Sequence, residues 1–377
     1  MIPSGWKKIN LGEIVKIVSG ESPSKFQLED TGKKPYVKVE DLNNCNKYQS
    51  LSRFYTNDKK RGLVPPHSVL FPKRGAAIMN NKVRINASDL YMDTNLMALI
   101  PNESSIIGEF LYYKITFEQL HKIADTSTIP QINNKHIEPL EIYLPPINEQ
   151  EKIAKILSTW DEAIEKLEKI ISNLETIKVS QLSSLILKCK KSLKNTTLGE
   201  IAELINGRAY KQSEWEEEGT PVIRLQNLTG TGDKFYYSTL DLQADKYCYK
   251  DDILFMWSAT FGPHIWQGAK AIFHYHIWKV VPKNAMIGKS YLYFLLLAYT
   301  ELWRRNTNGS TMAHLTKESM EKVSVLLPDI DYQDKISNYF ISLDTAIFTQ
   351  QQILKQIKLQ KQGLMQQLLT GRRRVKV

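Results

Sequence analysis

The sequence predicts an α+β fold with an internal pseudo-two-fold repeat, in which a long antiparallel two-helix coiled coil separates two similar globular domains of mixed helix and strand content. Three observations predict it: two heptad ladders, motifs shared by the two halves, and a chain length of 377 residues. The composition, 42% hydrophobic and 24% charged, is that of an ordinary globular protein. Outside the ladders each half keeps roughly 140 residues, which is enough to bury a core unaided.

Apolar side chains recur at alternating steps of four and three in two long segments. The first ladder contains Ile153, Leu157, Trp160, Ile164, Leu167, Ile171 and Leu174, and the second contains Ile336, Phe340, Leu343, Ile347, Leu354 and Ile357. Each position of the second ladder lies 183 residues after its counterpart, as 336 lies after 153, and both turn polar at the same rung, Lys178 and Lys361. A spacing held over about five heptads predicts a coiled-coil seam. We expect each ladder to face the other copy, with the helices antiparallel.

The repeat extends upstream of both ladders. Four pairs of segments correspond: LGEIVKIVSG with LGEIAELING, KPYVKVEDL with TPVIRLQNL, SVLFPKRGA with DILFMWSAT, and EIYLPPINEQEKI with SVLLPDIDYQDKI. Between these segments the halves share little, which predicts a constant frame around variable interiors. The predicted bounds are a first domain at 1–147, a first helix at 148–190, a second domain at 191–330, a second helix at 331–370 and a basic tail at 371–377.

Within each domain, short β-rich runs predict strands and longer apolar segments predict a helix. The predicted strands are 35–39, 69–72 and 96–100 in the first domain and 221–225, 252–257 and 276–281 in the second. A helix is predicted at 107–124 and again at 287–305. The long helix from 148 to 188 would span on the order of 60 Å at about 1.5 Å per residue.

The charge balance favours a polyanionic partner. The net charge is +10, and basic residues cluster in predicted loops with aromatic side chains between them. Lysine and arginine suit phosphate contacts, while interleaved polar side chains suit base edges. The long loop 43–65 is an expected recognition segment because loops carry binding residues without disturbing a core. DNA binding is therefore favoured over a merely solvated basic surface.

The motifs of enzymes are missing from the sequence. There is no phosphate-binding glycine loop of the P-loop type and no methyltransferase or nuclease tetrapeptide. His274 and His276 are expected to alternate on a strand without acidic or cysteine partners, so no metal site is predicted. Cys45, Cys189 and Cys248 are too scattered for a disulfide framework. No apolar run reaches the length of a membrane span, and without an apolar leader the expected compartment is the cytoplasm.

The frame motifs resemble the specificity subunits of type I restriction-modification systems. The resemblance rests on the paired LGEI segments at Leu11 and Leu198, the lead-ins Pro145–Ile153 and Pro328–Ile336, the duplicated helices and the segment Met365–Gly371. It covers almost the whole chain. It implies two target recognition domains, each reading one part of a split, asymmetric site in double-stranded DNA, with helices that set the gap and dock two modification (methyltransferase) subunits. It also implies that this chain has no catalytic role: the modification subunits bring S-adenosylmethionine and methylate adenine, and a restriction subunit cleaves.

Candidate DNA-binding residues lie in the basic loops and directly after matched strands. In the first domain they are Lys59, Lys60, Arg61, Lys73, Arg74, Lys82, Arg84, Thr128 and Gln131. In the second domain they are Arg208, Lys211, Arg224, Trp257, Ser258, Thr260, His264, Thr311 and His314. For each of these residues, a solvated loop position explains the sequence as well as a base contact does.

Several alternatives remain open at this point. Partner docking is expected on exposed faces at 148–151 and 332–335, although helix capping explains the same polar residues. The tail with Arg372, Arg373 and Arg374 either contacts phosphate or is a disordered basic end. The chain could instead serve a related system in which methylation and cleavage share one partner polypeptide. It could also be a coiled-coil scaffold that joins two protein-binding domains.

Overall fold

The computed structural model describes residues 3–59, 61–126, 129–187, 194–258, 261–306 and 316–376. The chain divides into two compact units. Unit 1 contains Met1–Leu167 with Ile353–Val377, and unit 2 contains Glu168–Gln352. Each unit therefore holds one α+β domain and a segment of both long helices, α4 (Ile147–Leu182) and α9 (Ile330–Leu369). After α4 the chain continues as one turn of π-helix, Ser183–Leu187.

The described residues of the first domain form ten short strands and three helices. The strands are β1 (Lys7–Asn10), β2 (Val15–Ser19), β3 (Lys34–Val37), β4 (Tyr48–Gln49), β5 (Phe54–Thr56), β6 (Val69–Pro72), β7 (Arg84–Asn86), β8 (Tyr91–Met92), β9 (Leu96–Pro101) and β10 (Glu141–Leu144), and the helices are α1 (Gly108–Glu118), α2 (Leu120–Ile123) and α3 (Asn134–Ile137). The strands form a five-stranded sheet, β2-β9-β6-β7-β4, a three-stranded sheet, β5-β3-β8, and the ribbon β1-β10. All four residues of β6 are buried because this strand is central in its sheet and covered on both faces.

The second domain repeats this plan. Its strands are β11 (Lys194–Thr197), β12 (Ala202–Asn206), β13 (Thr220–Ile223), β14 (Tyr236–Ser238), β15 (Tyr247–Cys248), β16 (Ile253–Met256), β17 (Gly262–Ile265), β18 (Ala271–Phe273), β19 (Ile277–Pro282) and β20 (Ser324–Leu327), and its helices are α5 (Leu198–Ile201), α6 (Leu225–Thr229), α7 (Lys289–Asn306) and α8 (Lys317–Glu321). They form the sheets β12-β19-β16-β17 and β14-β13-β18-β15 and the ribbon β11-β20. The order of frame strands matches the first domain: β12, β19 and β16 correspond to β2, β9 and β6.

In each unit, an early segment of one long helix packs on a late segment of the other. Ile153 and Leu157 share a buried cluster with Met365 and Leu368 in unit 1. In unit 2, the corresponding buried cluster contains Leu182, Ile186, Ile336 and Phe340. The helices are therefore antiparallel in both units. Every predicted seam residue is buried or half-buried, whereas most other helix positions are exposed. The predicted α+β fold class, with its internal repeat and antiparallel helices, is confirmed.

The polar rungs of the ladders form a repeated ion pair. In unit 2 the Nζ atom of Lys178 lies 2.5 Å from Oδ1 of Asp344. In unit 1 Lys361 pairs with Asp161. The two pairs are counterparts, because Asp344 and Lys361 lie 183 residues after Asp161 and Lys178. Asp161 also accepts a hydrogen bond from the hydroxyl of Tyr113. A polar pair inside an apolar seam fixes the register of the helices.

Two predicted strands and one predicted helix are present with altered bounds, and the expectation that His274 and His276 lie on a strand was wrong. The predicted strands at 35–39 and 221–225 end at Val37 and Ile223, and each gives way to a short helix. The side chains of Asp41 and Asn227 accept the backbone N–H of Lys38 and Arg224, which starts a helical turn there. The predicted helix at 107–124 breaks at Gln119, whose φ is 62°. His274 and His276 lie in the turn between β18 and β19, so they do not alternate on a strand.

Candidate DNA interface

In each domain, four strands end at one edge, and their following loops are hydrogen-bonded to one another. In the second domain β13 and β18 are parallel, and β12 and β16 both pair antiparallel with β19, so the carboxyl ends of these four strands meet. The backbone N–H of Arg208 donates to Phe273, that of His274 to Ile223, and that of Trp257 to His276. We call this surface, residues 207–208, 224, 257–258 and 274–276, the strand-end edge of the second domain.

The first domain has the same edge with the same backbone bonds. The N–H of Glu21 donates to Met92, that of Asp93 to Val37, and that of Lys73 to Asn95. The strand-end edge of the first domain is therefore residues 20–21, 38, 73–74 and 93–95. Loops grouped on a rigid scaffold are where binding residues are usually placed.

A cation held over an aromatic ring is present at both edges. In the first domain the Nζ atom of Lys38 lies 4.3 Å from the centre of the Phe54 ring. In the second domain the guanidinium carbon of Arg224 lies 5.3 Å from the centre of Tyr236 and 5.6 Å from that of Trp215. Lys38 and Arg224 occupy the same position, the N-cap of the short helix after β3 or β13. Such contacts hold a charged side chain in place at a partly exposed site.

Aromatic and imidazole rings dominate the edge of the second domain. The His274 ring lies 6.2 Å from Trp215 and 5.1 Å from His276, and the His276 ring lies 5.3 Å from Trp257. Burial, followed by the charges of His276 and Arg224, lowers the pKa of His274 to about 4. The imidazole is therefore neutral at neutral pH, with one nitrogen that donates a hydrogen bond and one that accepts.

The edge of the first domain carries different side chains at the corresponding positions. Asp93 and Asn95 replace His274 and His276, and Lys73 replaces Trp257. The backbone N–H and the side-chain amide of Asn95 both donate to Asp93, each over 2.8 Å. Burial lowers the pKa of Lys73, and the charge of Asp93 opposes that shift. The two domains thus present unlike chemistry on one scaffold.

The structure brings several predicted DNA-binding residues to these edges. Arg74 and Gln131 form an antiparallel β-bridge, and both side chains are exposed beside Lys73. Arg208, Arg224, Trp257 and Ser258 belong to the edge of the second domain. Arg208 is partly engaged there, since it forms an ion pair with Glu214 over 2.5 Å and lies over the Tyr210 ring.

The other predicted residues are not part of the strand-end edges as defined. Arg84 donates from Nε and Nη2 to the carbonyl of Leu42, and Lys82 contacts Asn43. Both side chains are therefore engaged in hydrogen bonds within the protein. Lys59 and Arg61 lie between β5 and β6, and Lys211 lies between β12 and β13. His264 is on β17, where burial and the charge of Arg304 lower its pKa. Lys60, Thr128, Thr260, Thr311 and His314 lie outside the described residues.

Sequence reasoning missed Lys38, Trp215 and the 274–276 turn as binding candidates. The sequence did contain a signal for Lys38, because the repeat aligns KPYVK with TPVIR and so places Lys38 opposite Arg224, which was a candidate. The turn carried no such signal, since its two histidines were judged only as metal ligands. Among the described residues, no three His, Cys, Asp or Glu side chains gather as metal ligands would. Cys45 and Cys248 are free thiols. None of the described helices is long and apolar enough to cross a membrane.

The predicted docking faces at the starts of the long helices are exposed only in part, at Asn148, Glu151, Asp334 and Lys335. Gln150 and Gln333 are both completely buried. The Oε1 atom of Gln150 accepts from the N–H of Ile107, and its Nε2 donates to Ser105 and Pro145. Gln333 makes the same three bonds with Gly288, Met286 and Pro328. These glutamines fasten each domain to its helix, so the polar lead-in has an internal role.

The basic tail is folded against the rest of unit 1. Arg374 forms a bidentate ion pair with the buried carboxylate of Glu149, both bonds being 2.7 Å long. Glu149 also accepts from the indole of Trp6, and Arg374 donates to the carbonyl of Ser4. For Arg374, the expectation of a disordered end was wrong, and a contact with phosphate stays a prediction. Glu149, expected on an exposed docking face, is 1% exposed.

Comparison with known proteins agrees with this architecture. The family described as type I restriction modification DNA specificity domain matches residues 3–176 and again residues 190–359. The MjaVIII type I restriction enzyme specificity subunit of Methanocaldococcus jannaschii is 24% identical, over 100% of this chain and 94% of the relative. The EcoBI specificity subunit of Escherichia coli is 23% identical over 47% of this chain and 38% of its own length.

Two solved structures share the fold. One is a chain from a structure that addresses complex assembly and conformational transition of the type I R-M system. It aligns with a TM-score of 0.66 at 15% sequence identity, and the alignment covers 98% of both chains. The S subunit of a type I restriction-modification system from M. genitalium aligns with a TM-score of 0.59 at 18% identity, over 98% of this chain and 96% of that one.

Two similar domains on one repeated frame, each matched by a DNA specificity domain, define a protein that recognises DNA through a duplicated scaffold. The chain belongs to the type I restriction modification DNA specificity family and carries its domain twice, once in each half. Its role is that of a specificity subunit, which recognises a DNA sequence with two domains.

Proposed function

We propose that this chain directs a type I restriction-modification complex to a split, asymmetric DNA site. Each domain reads one part of the site, and the antiparallel helices set the gap between the parts. The observation that carries this proposal is the pair of strand-end edges: the backbone bonds are the same in both domains, whereas Asp93 and Asn95 in one correspond to His274 and His276 in the other. Edges of unlike chemistry on equivalent scaffolds would select different bases.

The chain acts without chemistry of its own in this proposal. Two modification subunits bind S-adenosylmethionine and methylate adenine, and a restriction subunit cleaves DNA in the full complex. The setting is the cytoplasm, where these subunits would meet DNA. A partner that fuses methylation and cleavage in one polypeptide would serve equally, and the mass of the purified partner separates these two possibilities.

Docking of two identical partners is supported by grooves on the long helices. A groove of about 480 Å³ in unit 1 is lined by α1, α2 and α9, including Gln362 and Gln366. A groove of about 600 Å³ in unit 2 is lined by the last part of α4, including Val179, and by the π-helical turn that follows it, including Ser183. Gln362 and Gln366 lie 183 residues after Val179 and Ser183. Each unit thus offers a concave surface at the same place on its helix.

Lengthening both helices by one heptad is expected to widen the gap in the recognised site. The change duplicates residues 164–170 in α4 and residues 347–353 in α9, which preserves the seam in both helices. Seven residues add about 10 Å of helix, which corresponds to about three base pairs of DNA. Mapping methylated adenines with the variant complex should show both half-site sequences unchanged on either side of a longer gap.

The matched control duplicates the heptad in α9 alone. This change mismatches the two helices and is expected to abolish or weaken site-specific methylation. An unchanged gap in the doubly lengthened variant, at normal methylation levels, would refute the role of the helices as a ruler.

A further inference from the structure

Two cations at equivalent positions of the strand-end edges, Lys38 and Arg224, have no acidic partner in the described part of the chain. No carboxylate of the described residues lies within ion-pair distance of Lys38 or Arg224, although both side chains are half-buried and held over rings. The nearby Lys34, in contrast, is paired with Asp89. A positioned cation without a counter-charge, repeated at the same position of both domains, fits a negatively charged ligand that both domains share. The phosphate backbone of DNA is the same for both half-sites.

The turn between β18 and β19 supplies side chains that differ between the domains. His274 and His276 are half-buried within a series of rings, so their orientations are restrained before a ligand arrives. Tyr275, between them, is 40% exposed, which places the turn at the surface. The neutral imidazole of His274 has both a donor and an acceptor for a base edge. In the first domain, Oδ1 of Asp93 accepts from both the backbone N–H and the side-chain amide of Asn95.

We propose that the strand-end edge of each domain lies against the DNA duplex, with Lys38 and Arg224 binding the phosphate backbone and with His274 and His276 determining the sequence of the second half-site. This inference rests on the proposed function and adds the surface and the residues that select bases. The anchors are common to both domains because the backbone is common. The turn residues differ because the two half-sites differ.

The test uses the full chain in complex with its methyltransferase partner, on duplex DNA carrying the split site mapped for the unaltered complex. Arg224→Gln and Lys38→Gln should each weaken binding to all sequences by a similar factor. Each should also reduce the slope of log affinity against log salt by about one, because one fewer counterion is released. The half-site sequences should stay the same in both variants.

His274→Ala and His276→Ala should relax base preference in the second half-site and leave the first half-site intact. Loss of one base-edge contact is expected to lower methylation at the original site relative to single-mismatch sites by about 10-fold. If His274→Ala fails to form a complex, His274→Asn keeps a polar side chain and is measured in the same way. The claim that the turn reads bases would be overturned if base preference in the second half-site were unchanged both in an assembled His274→Asn complex and in His276→Ala.

Lys322→Gln is the matched control. Lys322 follows α8, which packs on α5 just before β12 begins, so it lies at the opposite end of the domain from the strand-end edge. Its ion pair with Glu318 is exposed. Salt slope and motif should be unchanged in this variant. A salt slope reduced equally by Lys322→Gln and Arg224→Gln would overturn the anchor assignment.

Failure of this inference is distinguishable from failure of the proposed function. If the unaltered complex yields no split motif, the proposed function fails. If it yields a split motif that none of the edge variants changes, only the placement of DNA on the strand-end edge is wrong.

Discussion

Replacing Gln150 with leucine is expected to lower the free energy of unfolding of unit 1 by about 3 kcal/mol, because the change leaves one buried and two partly buried backbone groups without these partners. Gln150 is completely buried, and its amide bonds to Ile107, Ser105 and Pro145. Leucine fills similar space but can neither accept from Ile107 nor donate to the two carbonyls. The same reasoning predicts an equal loss for Gln333→Leu in unit 2, where the three bonds are repeated.

Urea unfolding of each variant, followed by circular dichroism, measures this loss. The matched control is Gln356→Leu, a glutamine exposed on α9, for which we expect a change within about 0.5 kcal/mol. If Gln150→Leu and Gln356→Leu were equally stable, the lead-in glutamines would not fasten the domains to the helices.

Replacing Asp161 with leucine is expected to cost about 3 kcal/mol in unit 1, because a mostly buried lysine loses its counter-charge. Lys361 is 15% exposed in its ion pair with Asp161. The hydroxyl of Tyr113 loses its acceptor in the same variant. Burial, reinforced by Asp161, raises the pKa of Tyr113, so the phenol stays protonated and donates this bond. A lower cost of about 2 kcal/mol is expected for Asp344→Leu, since Asp344 is 36% exposed.

Exchanging the charges of Lys178 and Asp344 tests whether these two residues stabilise the protein as a pair. Asp344→Lys combined with Lys178→Asp restores opposite charges in the same rung of unit 2. The double variant should regain much of the stability that Asp344→Lys alone loses, because the single change leaves two lysines facing each other. Urea unfolding of the two single variants and the double variant gives the coupling energy. If the stability losses of the two single variants simply add in the double variant, Lys178 and Asp344 do not stabilise the contact between the helices.

Much of the frame could be predicted because its signals are local and occur twice. The heptad ladders give the two long helices, the shared strand motifs give β6 and β16, and the β-rich runs give β9 and β19. The short helices after Lys38 and Arg224 were missed because a capping side chain three residues later outweighs the strand preference of the preceding run.

The candidate interface could be predicted only in part. Arg74, Arg224 and Trp257 were identified because they follow strands whose repeats are visible in the sequence. The ring series through His274 and the cation over Phe54 depend on contacts between distant loops, to which the sequence pattern gives no guide. The burial of Gln150 was missed for the same reason, since it bonds to residues more than 40 positions away.

The central claim is that this chain selects a split DNA sequence for a methyltransferase that binds it. The most direct test is to co-express the chain with its methyltransferase partner, purify the complex and map methylated adenines across host DNA by single-molecule sequencing. We expect a motif of two fixed parts around an unspecified gap, present with the chain and missing when the chain is deleted. A complex that forms but methylates no split motif would contradict the claim.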